Sequence, residues 1–183
     1  MVVLRGIPSV LTPELLYALA KMGHGDELVL ADANFPVSSV CKSGPMEIRA
    51  DGLHIPELLE AILKLLPLDT YVSHPAVVMD RVESDRQRGL QVTVWLRYSE
   101  LLKQAGSHGD LHKVERFAFY ERAKKAFAVV ATGYSVFFPM SWICTTFNFC
   151  FSGLMDFYVS DRETALYGNL IIKKGVIPPS ELC

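Results

Sequence analysis

The chain has 183 residues, enough for one domain with its own core and no covalent staples. Eighteen Lys and Arg against 20 Asp and Glu leave a net charge of -2, so no general basic field exists to hold nucleic acid or an anionic membrane surface. Cys41, Cys144, Cys150 and Cys183 form no CxxC pair and no Cys/His ligand spacing, which argues for reduced thiols and against a zinc site or a disulfide framework.

Met1 to Pro8 lacks the basic region and apolar run of a signal peptide, so a cytoplasmic location is expected. Thr12 to Gly23 then reads as a helix, with Thr12 as N-cap, Pro13 at the first position, Gly23 as the stop and Leu15, Leu16, Leu19 and Met22 as the core stripe. That helix delivers His24, set between two glycines, to a short buried strand Leu28 to Asp32, after which Asn34 and Pro36 end the extended run. Ligand sites in open α/β sheets lie at such strand ends, so His24 and Asp32 are expected to face one crevice and to move protons on a small polar molecule. A solvent-exposed turn histidine is the plainer alternative for His24.

Met46 to Arg49 alternates like a strand and ends at the turn Asp51-Gly52; Pro56 opens an amphipathic helix through Leu66, closed by Pro67. Leu68 to Val72 and Ala76 to Val82 are two β-rich runs, in which Asp69 reads as a turn carboxylate and Met79 as a core thioether. Glu83 to Gly89 reads as a surface loop and Val94 to Gln104 as a helix whose Trp95 and Tyr98 pack inward. Gly106 to Asp110, with His108 and His112 near it, lacks the set of acidic and cysteine companions that makes a metal site and reads as a solvated loop. Arg116 to Lys125 is a helical segment leading to the apolar strand Ala126 to Thr132; Tyr120 is either a core aromatic or a phenol aimed at a ligand. Helix and strand thus alternate as in a layered α/β sheet.

The runs MGHGDELVLADANFP at 22 to 36, RADGL at 49 to 53, LLPLDTYV at 65 to 72, VVMDRV at 77 to 82, ERFAFYERAKKAFAVVATG at 115 to 133 and ETALYGNLIIKKG at 163 to 175 resemble, in order, the fucose mutarotase and ribose pyranase (RbsD/FucU) family, its fucose branch most closely. The resemblance implies a single α/β domain with a mostly buried β-sheet flanked by helices. It implies an isomerase that interconverts the α and β anomers of a reducing sugar, L-fucose first, without cofactor or metal. His24 would be the catalytic proton donor, and Asp32, Asp69, Met79, Tyr120, Tyr167 and Asn169 would touch the sugar. It also implies a homo-oligomer with sites near subunit contacts, and neither nucleic acid nor membrane as a partner.

The sequence departs from the family pattern at 134 to 162. Tyr134 to Met155 carries no charged residue and is long enough by hydropathy to be weighed as a membrane span, but Pro139, Asn148 and several Ser and Thr interrupt it. An inserted exon or retained intron would explain its abrupt bounds. Two rival readings follow: a non-catalytic sugar-binding or interaction isoform, and a form anchored in a membrane by this segment. The expectation for the chain as a whole is one mutarotase domain in which the insertion bulges out and Leu166 to Ile172 re-enters the sheet in register, since a slip of one residue would turn every side chain to the other face.

Overall fold

The structure, a computed structural model, describes residues 4–108, 110–133 and 166–177; the segment 134–162, read above as an insertion, lies outside the described residues. Helix α1 (Pro13–Lys21) begins as its residues dictate, with the Thr12 hydroxyl accepting from the Leu15 N–H at 3.2 Å and Pro13 in the first turn. Its C-cap is Met22 and not Gly23; the left-handed residue is Gly25, at φ 88°, which turns the chain into β1 (Glu27–Ala31). Four further elements stand where periodicity places them: β2 (Met46–Arg49), α3 (Ile55–Leu63), β3 (Ala76–Met79) and, after several intervening turns, α5 (Val94–Gln104). Later come α6 (Arg116–Ala123), capped by the Glu115 carboxylate on the N–H groups of Phe117 and Ala118, then β5 (Ala128–Ala131) and β6 (Leu170–Lys173).

Three short elements were not expected, namely α2 (Val37–Cys41), α4 (Glu83–Gln87) and β4 (His112–Val114). The expected strand Leu68 to Val72 is not one. Only Leu68 bridges, to Lys174, and the Asp69 carboxylate then accepts from the Tyr71 N–H at 3.0 Å, bending the chain into a turn.

The six strands form one mixed sheet in the order β2-β5-β1-β6-β3-β4. β2, β5 and β1 run parallel, β3 and β4 run parallel, and β6 lies antiparallel between β1 and β3. The carboxyl ends of five strands and the amino end of β6 therefore share one edge of the sheet. Helices cover both faces. Leu28, Leu30, Val78, Val130, Leu170 and Ile172 pack under α1, α3 and α5, while Val29, Val77, Val129 and Ile171 pack under α2 and α6. This two-sided burial is why the strands are continuous apolar runs and not alternating ones. Among the described residues no helix is long and apolar enough to cross a membrane.

Cys41, at the end of α2, is a free thiol, and burial together with the nearby Glu47 carboxylate raises its pKa to about 11. A raised thiol pKa withholds the reactive thiolate at neutral pH. Peptide-resolved alkylation by iodoacetamide should therefore keep accelerating at Cys41, about tenfold per pH unit, past pH 9 toward 11. A rate that levels near pH 9 would contradict this environment.

Candidate active site

The seven candidate residues divide between opposite edges of the sheet. His24 lies before β1 and Asp69 beside the end of β6, where the Asp69 N–H donates to the Lys173 carbonyl at 3.0 Å. Asp32 follows β1, Met79 ends β3, and Tyr167 and Asn169 precede β6. Tyr120, one turn into α6, stacks edge-on at 5.5 Å against Phe35, which places it with the second group. His24 and Asp32 consequently do not face one crevice within a chain. β1 runs extended between them, and its rise places the two at opposite ends of the strand, about 20 Å apart.

At the first edge the His24 Nε2 lies 3.4 Å from Asp69 Oδ1, with the imidazole 48% exposed and the carboxylate 3% exposed. The ring also meets Tyr71 edge-to-face at 5.9 Å. A buried carboxylate oriented by a backbone N–H thus holds an imidazole whose remaining surface is open to a ligand. Asp69 also borders a hollow of about 500 Å3 between the turns that follow α3 and α5.

At the second edge Asp32 and Asn169 form a reciprocal buried pair. The Asn169 amide nitrogen donates to Asp32 Oδ2 at 2.7 Å, and its oxygen accepts from the Asp32 N–H at 2.9 Å. The other carboxylate oxygen accepts from the Asn34 N–H at 2.9 Å. Asp32 thereby closes the turn after β1 and lines a hollow of about 250 Å3 with Phe35, Ser38 and Arg49. The Tyr167 hydroxyl donates to Asp85 Oδ2 at 2.7 Å and accepts from the Val82 N–H at 3.3 Å. Burial first, then the Asp85 hydrogen bond, raises the phenol above its ordinary pKa, so it stays a neutral donor.

Sequence reasoning assigned Trp95 and Tyr98 to packing alone. They also hold the turn into β6: the Trp95 indole donates to the Tyr167 carbonyl at 3.0 Å, and the Tyr98 hydroxyl to the Gly168 carbonyl at 2.8 Å. Their spacing of three residues on α5 lets two consecutive carbonyls be gripped from one helix face, and Tyr167 takes a left-handed φ of 65° there. The available signal was that a buried Tyr or Trp needs a partner for its polar end. Among the described residues, no three His, Cys, Asp or Glu side chains group as a metal site would require.

The sequence pattern of the RbsD / FucU transport protein family matches residues 5–139. The chain belongs to this family. Relatives within reach of it include fucose mutarotases from Danio rerio, 66% identical over 183 residues and spanning all of both chains, and from Homo sapiens, 59% identical over 177 residues, 97% of this chain and 96% of that one. The crystal structure of the fucose mutarotase in complex with L-fucose from Streptococcus pneumoniae superposes with a TM-score of 0.73 at 38% identity, covering 95% of this chain and 99% of that chain. The six-stranded sheet with helices on both faces is accordingly the RbsD / FucU fold.

The Asp32 geometry makes a direct prediction about stability. Replacing Asp32 by Asn puts an amide NH2 where a donor now finds an acceptor, either the part-buried Asn34 N–H or the buried Asn169 amide. An unsatisfied buried donor costs about 1–3 kcal/mol, so urea denaturation of Asp32→Asn should show a loss in that range, greater than a charge change on the surface would cause.

Proposed function

We propose that the chain is an isomerase that interconverts the α and β anomers of L-fucose, with His24 as the proton donor. The observation that carries this reading is the His24–Asp69 pair, an accessible imidazole held at 3.4 Å by a buried carboxylate, in a chain 66% identical to a fucose mutarotase. Mutarotation asks for little more. A proton passes to the ring oxygen as the bond from the anomeric carbon to that oxygen breaks, and the proton on the anomeric hydroxyl leaves as the carbonyl forms. Rotation of the free aldehyde and reversal of both transfers close the ring on the other face. Acid–base help of this kind supplies about 10² to 10⁴ in rate.

The sugar would be held by groups from the opposite edge of the sheet. Asp32 and Asn169 offer carboxylate and amide oxygens, Tyr120 and Tyr167 offer phenols, and Met79 is an apolar surface. Because these stand about 20 Å from His24 along β1, the reading includes self-association: His24 and Asp69 of one copy complete the site formed by Asp32, Met79, Tyr120, Tyr167 and Asn169 of another. Within each copy we place one mutarotase domain, with 134–162 as an insertion between β5 and β6. A cytoplasmic enzyme without cofactor fits this chemistry.

Magnetisation-exchange NMR between the L-fucose anomers tests the reaction. Wild-type protein should accelerate exchange and His24→Ala should lower the rate by about 10² or more while its thermal melt stays near wild type. Equal exchange rates for the two proteins would remove His24 from the mechanism. The shared site has its own test: co-refolding inactive His24→Ala with inactive Asp32→Asn should regenerate about a quarter of the sites, since random assembly pairs an intact His24 with an intact Asp32 that often. No recovery on mixing would mean that each copy works alone.

A further inference from the structure

We propose that Lys174 is a positioning residue for His24, acting from the end of β6 as the spacer that sets the imidazole against Asp69. This inference rests on the assignment of His24 to proton transfer. The backbone of residues 173–175 runs between the two loops that carry the pair. On one side the Gly25 N–H donates to the Lys174 carbonyl at 2.9 Å and the Lys174 N–H donates to the Asp26 carbonyl at 2.9 Å. On the other side the Asp69 N–H donates to the Lys173 carbonyl at 3.0 Å and the Gly175 N–H to the Pro67 carbonyl at 2.8 Å. The spacing of the His24 loop from the Asp69 loop is therefore set by the one segment between them, two inter-strand spacings of about 4.8 Å each. Gly175 admits no side chain, because a methyl group there would run into the Leu68 carbonyl and the Asp69 Cα.

The Lys174 side chain adds the third constraint. Its ammonium donates to the Met22 carbonyl at 2.6 Å and to the Leu19 carbonyl at 3.1 Å, two of the carbonyls left without partners at the end of α1. A cation at that helix end is also favoured by the helix dipole. Met22 lies two residues before His24 and Gly25 one residue after it, so Lys174 grips the loop on both sides of the histidine. Asp26 closes the loop internally, accepting from the Gly23 N–H at 2.7 Å. His24 itself makes little packing, with its side chain half-exposed, and its place is therefore imposed by the backbone that bears it. Nothing else on the described surface gives the ring a fixed anchor besides Asp69 and the edge of Tyr71.

The test uses the full chain with labelled histidine. Imidazole signals of the sugar-free protein are assigned to His24 by their loss in His24→Ala. Lys174→Met keeps most of the length of the side chain but removes the donors; it should move the His24 signals toward those of a free histidine while leaving those of His54, His74 and His112 in place. In L-fucose exchange the same variant should lose about 10- to 100-fold in kcat with KM within about twofold, the signature of a misplaced proton donor and not of lost binding. Lys174→Arg, which restores a charged donor, should recover most of that loss. Unmoved His24 signals overturn the proposal, whatever happens to the rate, and so does a rise in KM with kcat retained. Should Lys174→Met fail to fold, Lys174→Gln, which keeps a neutral donor, decides by the same signals: a partial displacement supports the role and wild-type positions overturn it. If wild-type protein shows no exchange at all, the functional reading fails separately, and the imidazole signals alone still decide whether Lys174 holds His24.

Discussion

The antiparallel seating of β6 between β1 and β3 is the constraint on which the rest of the molecule depends. It joins two parallel units, β2-β5-β1 and β3-β4, that among the described residues share no other strand pairing. Leu170 and Ile172 are buried under one helical layer and Ile171 under the other, so a shift of one residue would exchange the partners of both cores at once. The same register brings Asn169 to Asp32 at one end and Lys173 to Asp69 at the other. Both groups of candidate residues are thus ordered by a single pairing scheme, through contacts such as Asn169 with Asp32 that join positions 137 residues apart.

Much of this was legible in the residues because local and global signals agree. Thr12 and Pro13 open α1, Pro56 falls in the first turn of α3, and the apolar runs of β1, β3 and β5 match strands covered on both faces. The failures share a physical cause. β4 is three residues long, mostly exposed and, among the described residues, paired with β3 alone, and α4 buries no residue at all, so neither leaves an apolar pattern. Leu68 to Val72 has strand composition, but the Asp69 side chain captures the Tyr71 N–H and so spends on a turn a donor that a strand would need. Local side-chain hydrogen bonds of this sort are invisible to periodicity.

The placement of His24 and Asp32 on the same short stretch suggested proximity, and strand geometry separates them instead. Sequence closeness means spatial closeness only where the chain turns, and between Gly25 and Asp32 it runs extended. The roles carried over from the family therefore meet a geometric condition that no motif states, namely that residues from both ends of one sheet converge. Under the proposed self-association, a second copy offset along the strand direction would satisfy it without bending the sheet. The Asp32–Asn169 pair is consistent with the proposed arrangement, since its polar groups are already satisfied within one chain.

The two ends of the sheet also differ in how they are held, and the difference follows from their chemistry. Asp32 and Asn169 are fixed by hydrogen bonds between side chains and by α5 gripping the carbonyls of residues 167 and 168, an arrangement suited to contacts that read the hydroxyl pattern of a sugar. His24 is held through its backbone and one buried carboxylate, with half its side chain open. A proton donor must change its protonation state in each turnover, and every hydrogen bond that favoured one state would oppose the other. In the proposed role, fixing the loop holds the imidazole against Asp69 and leaves about half of the side chain open to a ligand. The local rigidity therefore lies in residues 173–175, which themselves touch no reacting atom.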